Sequence, residues 1–161
     1  MPLSLKVFNR AGELVGPLAV EPVRKTDAEW RLLLTDEQFR IARSHGTEAP
    51  FCGTLLDNKK DGVYSCICCG LPLFASSDKF DSGTGWPSFV RPIAVENVVE
   101  VSDTSYGMTR TEIRCARCEA HLGHVFPDGP PPTRERHCLN SESLTFTESS
   151  ALATLADPAA G

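Results

Sequence analysis

The sequence contains no apolar run that approaches about 18 residues, so it predicts no transmembrane helix. Its first residues, MPLSLKVFNRAGELVG, lack the basic segment followed by an apolar stretch that typifies a secretory signal. Positive charge is not in excess, because 16 Lys and Arg stand against 21 Asp and Glu, for a net charge of −5. This balance disfavours binding to nucleic-acid phosphates. We therefore expect a cytoplasmic monomer of about one domain, without membrane or nucleic-acid partners.

Turn and cap signals organise the first 46 residues. Residues 1–25 form a predicted N-terminal extension, in which alternating apolar residues around a turn-like Asn9–Gly12 predict a hairpin over 3–20. Thr26 with Glu29 fits a capping box at the start of a helix. A second capping box, Thr35 with Gln38, predicts another helix that ends at His45-Gly46.

The remaining chain has the composition of strands separated by glycine and proline turns. Strands are predicted over 63–65, 93–101, 108–113 and 143–146. We expect the main body, residues 26–146, to be mainly β with short N-terminal helices. The tail, 147–161, is rich in Ala and Ser, and we expect it to be poorly ordered.

Four of the seven cysteines form two C-x-x-C pairs, Cys66 with Cys69 and Cys115 with Cys118. Two such pairs can supply the four tetrahedral thiolates of one structural Zn²⁺ per chain. A redox-active C-x-x-C and ordinary buried thiols are the alternatives, although two pairs without a βαβ pattern argue against the first. Cys68 is read as a bystander. A zinc site alone would also suit a binding module without catalysis.

Cys138 has the chemical surroundings of a reactive thiol. If its segment is a strand, Arg136, Cys138 and Asn140 share one face. The cation would lower the thiol pKa, and the amide could hydrogen-bond a group on the sulfur. His121 and His124 offer imidazoles that could act as general acids.

Other interpretations of this region remain open. Cys138 could be a buried structural cysteine, or it could bind a metal with His121 and His124, as in a metal-dependent hydrolase. Asp128 could orient Arg136 or a histidine. Trp86, in a loop flanked by glycine and proline, is either a core residue or an apolar wall for a small ligand.

Many sequence blocks, in order over about residues 26–146, resemble the B-type peptide-methionine (R)-S-oxide reductases. The blocks are Gly62–Tyr64, Leu73-Phe74, Phe80–Gly83, Gly85–Phe89, Arg114-Cys115 with Cys118, His121–Phe126, and Arg136 with Cys138, Asn140 and Ser141. The resemblance implies two facing antiparallel sheets, with a zinc site remote from the active site. It also implies reduction of methionine-R-sulfoxide in oxidised proteins.

The resemblance assigns a role to each candidate residue. Cys138 would attack the sulfoxide sulfur and become a sulfenic acid, while His121, His124 and Asn140 assist the oxygen. Arg136 and Asp128 would organise the site. Trp86 and Phe126 would bind the substrate.

One position departs from the family pattern. Many members carry a resolving cysteine in the loop before Gly85–Phe89, where this chain has Thr84. Some members use a cysteine in the block that here contains Cys52, and a sulfenic acid condenses with a nearby thiol. The expectation is a Cys52–Cys138 disulfide, reduced by a thioredoxin-like dithiol protein. Its alternative is that Cys52 is a small buried hydrophobic residue.

Overall fold

Strands make up most of the regular structure in the computed structural model, which describes residues 2–161. Two short helices, α1 (Asp27–Leu33) and α2 (Asp36–Ala42), precede the main β-sheets. The eleven strands of these described residues are β1 Leu3–Phe8, β2 Leu14–Val20, β3 Gly62–Cys66, β4 Pro72–Ala75, β5 Lys79–Phe80, β6 Ser88–Phe89, β7 Val98–Asp103, β8 Arg110–Cys115, β9 His121–Phe126, β10 Arg136–Leu139 and β11 Leu144–Glu148.

Both helices begin where the capping boxes predict. The Thr26 hydroxyl accepts a hydrogen bond from the Glu29 amide at 3.2 Å, and the Thr35 hydroxyl accepts one from the Gln38 amide at 3.1 Å. These bonds satisfy amide groups that have no partner within the helix. Trp30 of α1 is fully buried, so the helices pack onto the sheets through an aromatic anchor.

The sheets are antiparallel, as the family resemblance implies. Strands β5-β6-β10-β9-β8-β7 form a six-stranded sheet, and β11-β3-β4 form a three-stranded sheet. The two sheets share one core, in which the Phe89 ring lies 5.1 Å from Tyr64 and 4.6 Å from Phe74, measured between ring centroids. Strands β9 and β10 are the two central strands of the larger sheet, so the catalytic candidates that they carry lie in its middle.

The N-terminal residues form a separate two-stranded hairpin of β1 and β2. Its turn is closed by the Asn9 side chain, whose oxygen accepts from the Ala11 and Glu13 amides at 2.9 and 3.0 Å. The buried Asn97 side chain bonds both backbone groups of Lys6, at 3.0 and 2.9 Å. This side chain fixes the hairpin to the main body.

Two segments differ from the sequence-based expectation. Residues 93–101 are only partly a strand, because Val95–Asn97 form a 3-10 turn and β7 begins at Val98. The tail forms β11 to Glu148 and then 3-10 turns. Asp157 secures it by an ion pair with Arg117 at 2.7 Å and a backbone hydrogen bond to Phe8 at 2.9 Å. Composition alone does not reveal these distant partners.

Within residues 2–161, no helix has both the length and the apolar character needed to cross a membrane.

Candidate active site

The four C-x-x-C cysteines lie in two turns with the same backbone hydrogen bonding. In the first, the Cys66 amide bonds the Leu71 carbonyl and the Gly70 amide bonds the Cys66 carbonyl, both at 2.9 Å. In the second, Cys115 and Glu119 make the equivalent bonds at 2.9 Å. Gly70 and Glu119 both adopt positive φ, at 79° and 64°. One turn belongs to each sheet, so the cluster lies between them.

The sulfur atoms are spaced as a tetrahedral metal site requires. The Cys66 and Cys118 sulfurs are 3.6 Å apart, and those of Cys69 and Cys115 are 3.5 Å apart. Zinc–sulfur bonds of about 2.3 Å place tetrahedral sulfurs about 3.8 Å apart. All four lie within 4.8 Å of one another, and burial raises the pKa of the Cys115 thiol. A bound cation would offset the cost of holding thiolates there. Cys68 is outside this set, as predicted.

Cys138 lies on β10, paired with Ser88 of β6 on one side and His124 of β9 on the other. Arg136 and Cys138 line a cavity of about 230 Å³, whereas His137, between them on β10, is buried and does not line it. Six of the nine predicted catalytic and substrate-binding residues line this cavity: Trp86, His124, Phe126, Arg136, Cys138 and Asn140.

The surroundings of Cys138 shift the pKa of its thiol in opposite directions. Burial raises the pKa of this thiol above its usual value, whereas Arg136 and a hydrogen bond from Thr84 oppose the rise. Arg136 is held by Asp128 through contacts of 3.0 and 3.3 Å, and its guanidinium lies over the Phe126 ring at 4.4 Å. The cation therefore has a defined position beside the sulfur.

Asn140 and Trp86 are both positioned by the loop residue Glu48. The Asn140 side-chain oxygen accepts from the Glu48 amide at 3.1 Å, and its nitrogen donates to the Leu122 carbonyl at 3.3 Å. The Trp86 indole N–H donates to the Glu48 carbonyl at 3.0 Å. An amide nitrogen carries two hydrogens, so Asn140 retains a donor for a ligand.

Each predicted histidine contacts a carboxylate. His124 Nε2 lies 2.7 Å from Asp103 Oδ2, and this contact is the main reason that the pKa of Asp103 falls well below its usual value. His121 Nδ1 lies 2.7 Å from Glu112 Oε2. His121 does not line the Cys138 cavity; it lies behind His124, with ring centroids 5.5 Å apart. Burial lowers the pKa of His121, so its neutral form is favoured.

Cys52 is exposed and does not line the Cys138 cavity. The alternative that Cys52 is a small buried hydrophobic residue is therefore wrong, whereas its role as the resolving cysteine stays a prediction. Its loop lies against the Trp86 loop, since the Phe51 amide donates to the Gly85 carbonyl at 2.7 Å. All seven cysteines, which lie within the described residues, are free.

The sequence did not identify Thr84 as a contact of the Cys138 thiol, or Glu48 as the residue that positions Asn140 and Trp86. It also did not identify Asp103 and Glu112 as the carboxylates that contact the histidines. Glu112 could have been placed near the histidines by counting from the Cys115–Cys118 turn, which joins β8 to β9, although a β-bulge between Ile113 and Arg114 sets its pairing with His124. Asp103 comes from β7, whose register with β8 is set by no comparable short turn. Its position could not be counted from the sequence.

Comparison with known proteins gives consistent matches. Residues 34–148 match the SelR domain. The protein named "Peptide methionine sulfoxide reductase MsrB" of Hahella chejuensis is 57% identical over 127 residues, which cover 79% of this chain and 91% of that protein. The protein of the same name from Caulobacter vibrioides is 60% identical over 136 residues, covering 83% of this chain and 84% of that one.

Proposed function

The chain belongs to the SelR-domain family of B-type peptide methionine sulfoxide reductases, and on this premise we propose how its residues act. It is a peptide-methionine (R)-S-oxide reductase. We propose that Cys138 is the nucleophile. The observation that carries this proposal is that a half-buried thiol shares one cavity with a cation, two aromatic rings, an amide and an imidazole.

Trp86 and Phe126 supply an apolar wall for the methyl end of the substrate. Both rings have restricted motion, because the Trp86 indole donates to Glu48 and the Phe126 ring is covered by Arg136. The polar atoms of His124 and Asn140 lie on the same cavity. An apolar region beside polar donors suits a sulfoxide, which joins a methyl group and a strongly accepting oxygen to one sulfur.

In the reaction, the Cys138 thiolate attacks the sulfoxide sulfur, and the oxygen is protonated and transferred to the cysteine. The sulfoxide sulfur is reduced by two electrons to methionine, and Cys138 is oxidised to a sulfenic acid. His124 and, behind it, His121 supply and relay the proton. Asn140 hydrogen-bonds the oxygen, while Asp128 holds Arg136 beside the thiolate.

Cys52 resolves the sulfenic acid in this proposal. Its thiol attacks the Cys138 sulfenic sulfur, a disulfide forms and water leaves. The loop around Cys52 has to move for this, since Cys52 is exposed and does not line the cavity that holds Cys138. A thioredoxin-like dithiol then reduces the disulfide by exchange.

The four-cysteine cluster fits zinc by its donor set and spacing, and Cys66, Cys69, Cys115 and Cys118 would hold the ion. Zinc bound there would cross-link the two turns and would take no part in the redox chemistry. Free reactive thiols beside a thiolate metal site suit a reducing compartment, so we propose that the enzyme works in the cytoplasm on oxidised proteins.

A single-turnover experiment tests the proposal. Reduced, zinc-loaded protein is mixed with a peptide that contains both epimers of methionine sulfoxide, and the products are resolved on a chiral column while free thiols are counted. We expect loss of the R epimer alone and of two thiols. Cys52→Ser should still convert one equivalent and leave Cys138 as a sulfenic acid.

The possible failures are separable. Consumption of a single thiol by the unmodified protein would remove Cys52 from the mechanism and leave Cys138 in place. Retention of R-epimer reduction in Cys138→Ser would contradict the assignment of the nucleophile.

A further inference from the structure

A second cluster of metal-binding side chains lies on the far side of His124 from Cys138. It consists of His45, Glu112 and His121, whose donor atoms all lie within 4.8 Å of one another. The Nδ1 atoms of His45 and His121 approach the same Glu112 oxygen, at 3.0 and 2.7 Å. Two imidazole nitrogens and one carboxylate oxygen thus converge on one point.

Three separate elements bring these side chains together. His45 follows the C-terminus of α2, Glu112 is in the middle of β8, and His121 begins β9. Glu112 and His121 are buried, whereas the His45 side chain is 53% exposed. Arg114 binds the other Glu112 oxygen at 2.9 Å and holds the carboxylate in place. The cluster therefore has two fixed donors and one accessible donor.

His45 adopts a backbone conformation that favours glycine, with φ of 56°. A residue with a side chain is uncommon in this region, and strain of this kind points to a functional hypothesis when other observations agree. Here the conformation directs the ring toward Glu112, and the His45 and His121 ring centroids lie 5.4 Å apart.

We propose that His45, Glu112 and His121 form a second metal site, separate from the four cysteines, that binds a divalent transition-metal ion such as Ni²⁺ or Zn²⁺. Imidazole and carboxylate donors suit these ions, and three protein ligands leave a coordination position for water. The cluster borders an open cavity of about 740 Å³, which gives the ion a path from solvent. Neutral imidazoles bind through Nδ1 once their ring protons lie on Nε2.

Metal binding should act on the reductase through His121. An ion bound to Nδ1 would fix this ring and remove it from proton relay toward His124. This consequence rests on the proposed function, whereas metal binding itself does not. We expect the ion to inhibit the reductase without contacting Cys138.

The test counts metal ions on the full-length, untagged chain. Cys52→Ser and Cys138→Ser remove the two thiols outside the turns, and zinc is loaded into the four-cysteine cluster first. Ni²⁺ is then titrated by calorimetry, and native mass spectrometry counts Ni²⁺ and Zn²⁺ separately. We expect one Ni²⁺ in addition to the Zn²⁺.

His45→Gly provides the decisive variant, because glycine tolerates the positive φ at this position. Ni²⁺ affinity should fall by roughly 100-fold or more, since even groups that only support a ligand commonly change affinity by 10–100-fold. Tyr106→Gly is the matched control: Tyr106 borders the same cavity, has φ of 57° and is 88% exposed. It should bind Ni²⁺ like the parent.

The proposed site would be overturned if no Ni²⁺ bound in addition to the Zn²⁺. It would also be overturned if His45→Gly and Tyr106→Gly bound Ni²⁺ with equal affinity. In protein with its native Cys52 and Cys138, Ni²⁺ should slow single-turnover reduction, and His45→Gly should relieve this inhibition. Ni²⁺ binding without inhibition would overturn the link to the reductase and leave the site standing. Zinc-loaded protein that shows no reductase activity in the absence of Ni²⁺ would instead count against the proposed function, and the calorimetric result would still decide the metal site.

Discussion

The turn cysteines and Cys138 carry the same functional group in opposite surroundings. Each turn thiol has other sulfurs close by, and Cys66 and Cys115 are fully buried. Cys138 is half-buried on a strand, borders a cavity and has Arg136 nearby. Backbone context therefore decides what a thiol does. Two turns that bring four thiols together form a site that favours a bound cation. A single thiol on a strand, beside a cation held in place, stays available for reaction.

Removing the nucleophile should separate the two regions most clearly. In Cys138→Ser, the single-turnover rate should fall at least about 10⁴-fold, because loss of a nucleophile removes the covalent pathway. Zinc content and the unfolding midpoint should remain close to those of the parent. Loss of zinc in this variant would show that the regions are not independent.

Removing a turn cysteine should have the converse effect. Cys115→Ser should lose zinc and several of the roughly 10 kcal/mol that a structural zinc can contribute. Metal analysis and chemical denaturation measure the two losses. Cys68→Ser is the control, since Cys68 lies in the Cys66–Cys69 turn but outside the four-sulfur set. Equal loss of zinc in both variants would contradict the ligand assignment.

Removing the cation beside Cys138 should shift the pH dependence. Burial already raises the pKa of this thiol, and Arg136 opposes that effect. In Arg136→Met the pKa should rise further, and the thiolate fraction at neutral pH should fall about tenfold for each unit. The single-turnover rate should therefore be lower near pH 7 and recover as pH rises. Arg136→Lys keeps the charge and should shift the profile less; identical profiles in both variants would argue against a charge effect.

The smallest predicted effect, on stability, tests whether the two cysteine turns share the same backbone conformation. Glu119 adopts positive φ, where Gly70 stands in the first turn. Glu119→Gly should relieve strain and stabilise the protein by about 0.5 kcal/mol, after allowance for the greater freedom of glycine when unfolded. The exposed contact of Glu119 with Arg24, at 3.7 Å, contributes little. Denaturant unfolding measures the change, and destabilisation would contradict the strain argument.

The features that sequence predicts well here are local. The capping boxes at Thr26 and Thr35 lie within four residues of their partners, and the C-x-x-C spacing encodes both turns. The alternation around Cys138 also predicts which side chains share the cavity with it. These predictions need no knowledge of long-range pairing.

The features that sequence predicts poorly depend on distant contacts. Asp103 reaches His124 through the register of β7 with β8, and Asp157 reaches Arg117 across the fold. The Ala- and Ser-rich composition of the tail predicts poor order, since it does not identify the distant residues that the tail contacts. The environment of Cys52 likewise depends on how its loop lies against Gly85.

The two cysteine turns have a topological consequence for the cavity. A metal that joins them closes a loop of 45 residues between Cys69 and Cys115, and Trp86 lies inside that loop. Cys138 lies outside it. Such a cross-link restricts the unfolded chain and holds the loop ends together in the folded state. Oxidation of the turn thiols would therefore remove the constraint on the loop that carries Trp86, and an oxidant could weaken substrate binding while leaving Cys138 chemically intact.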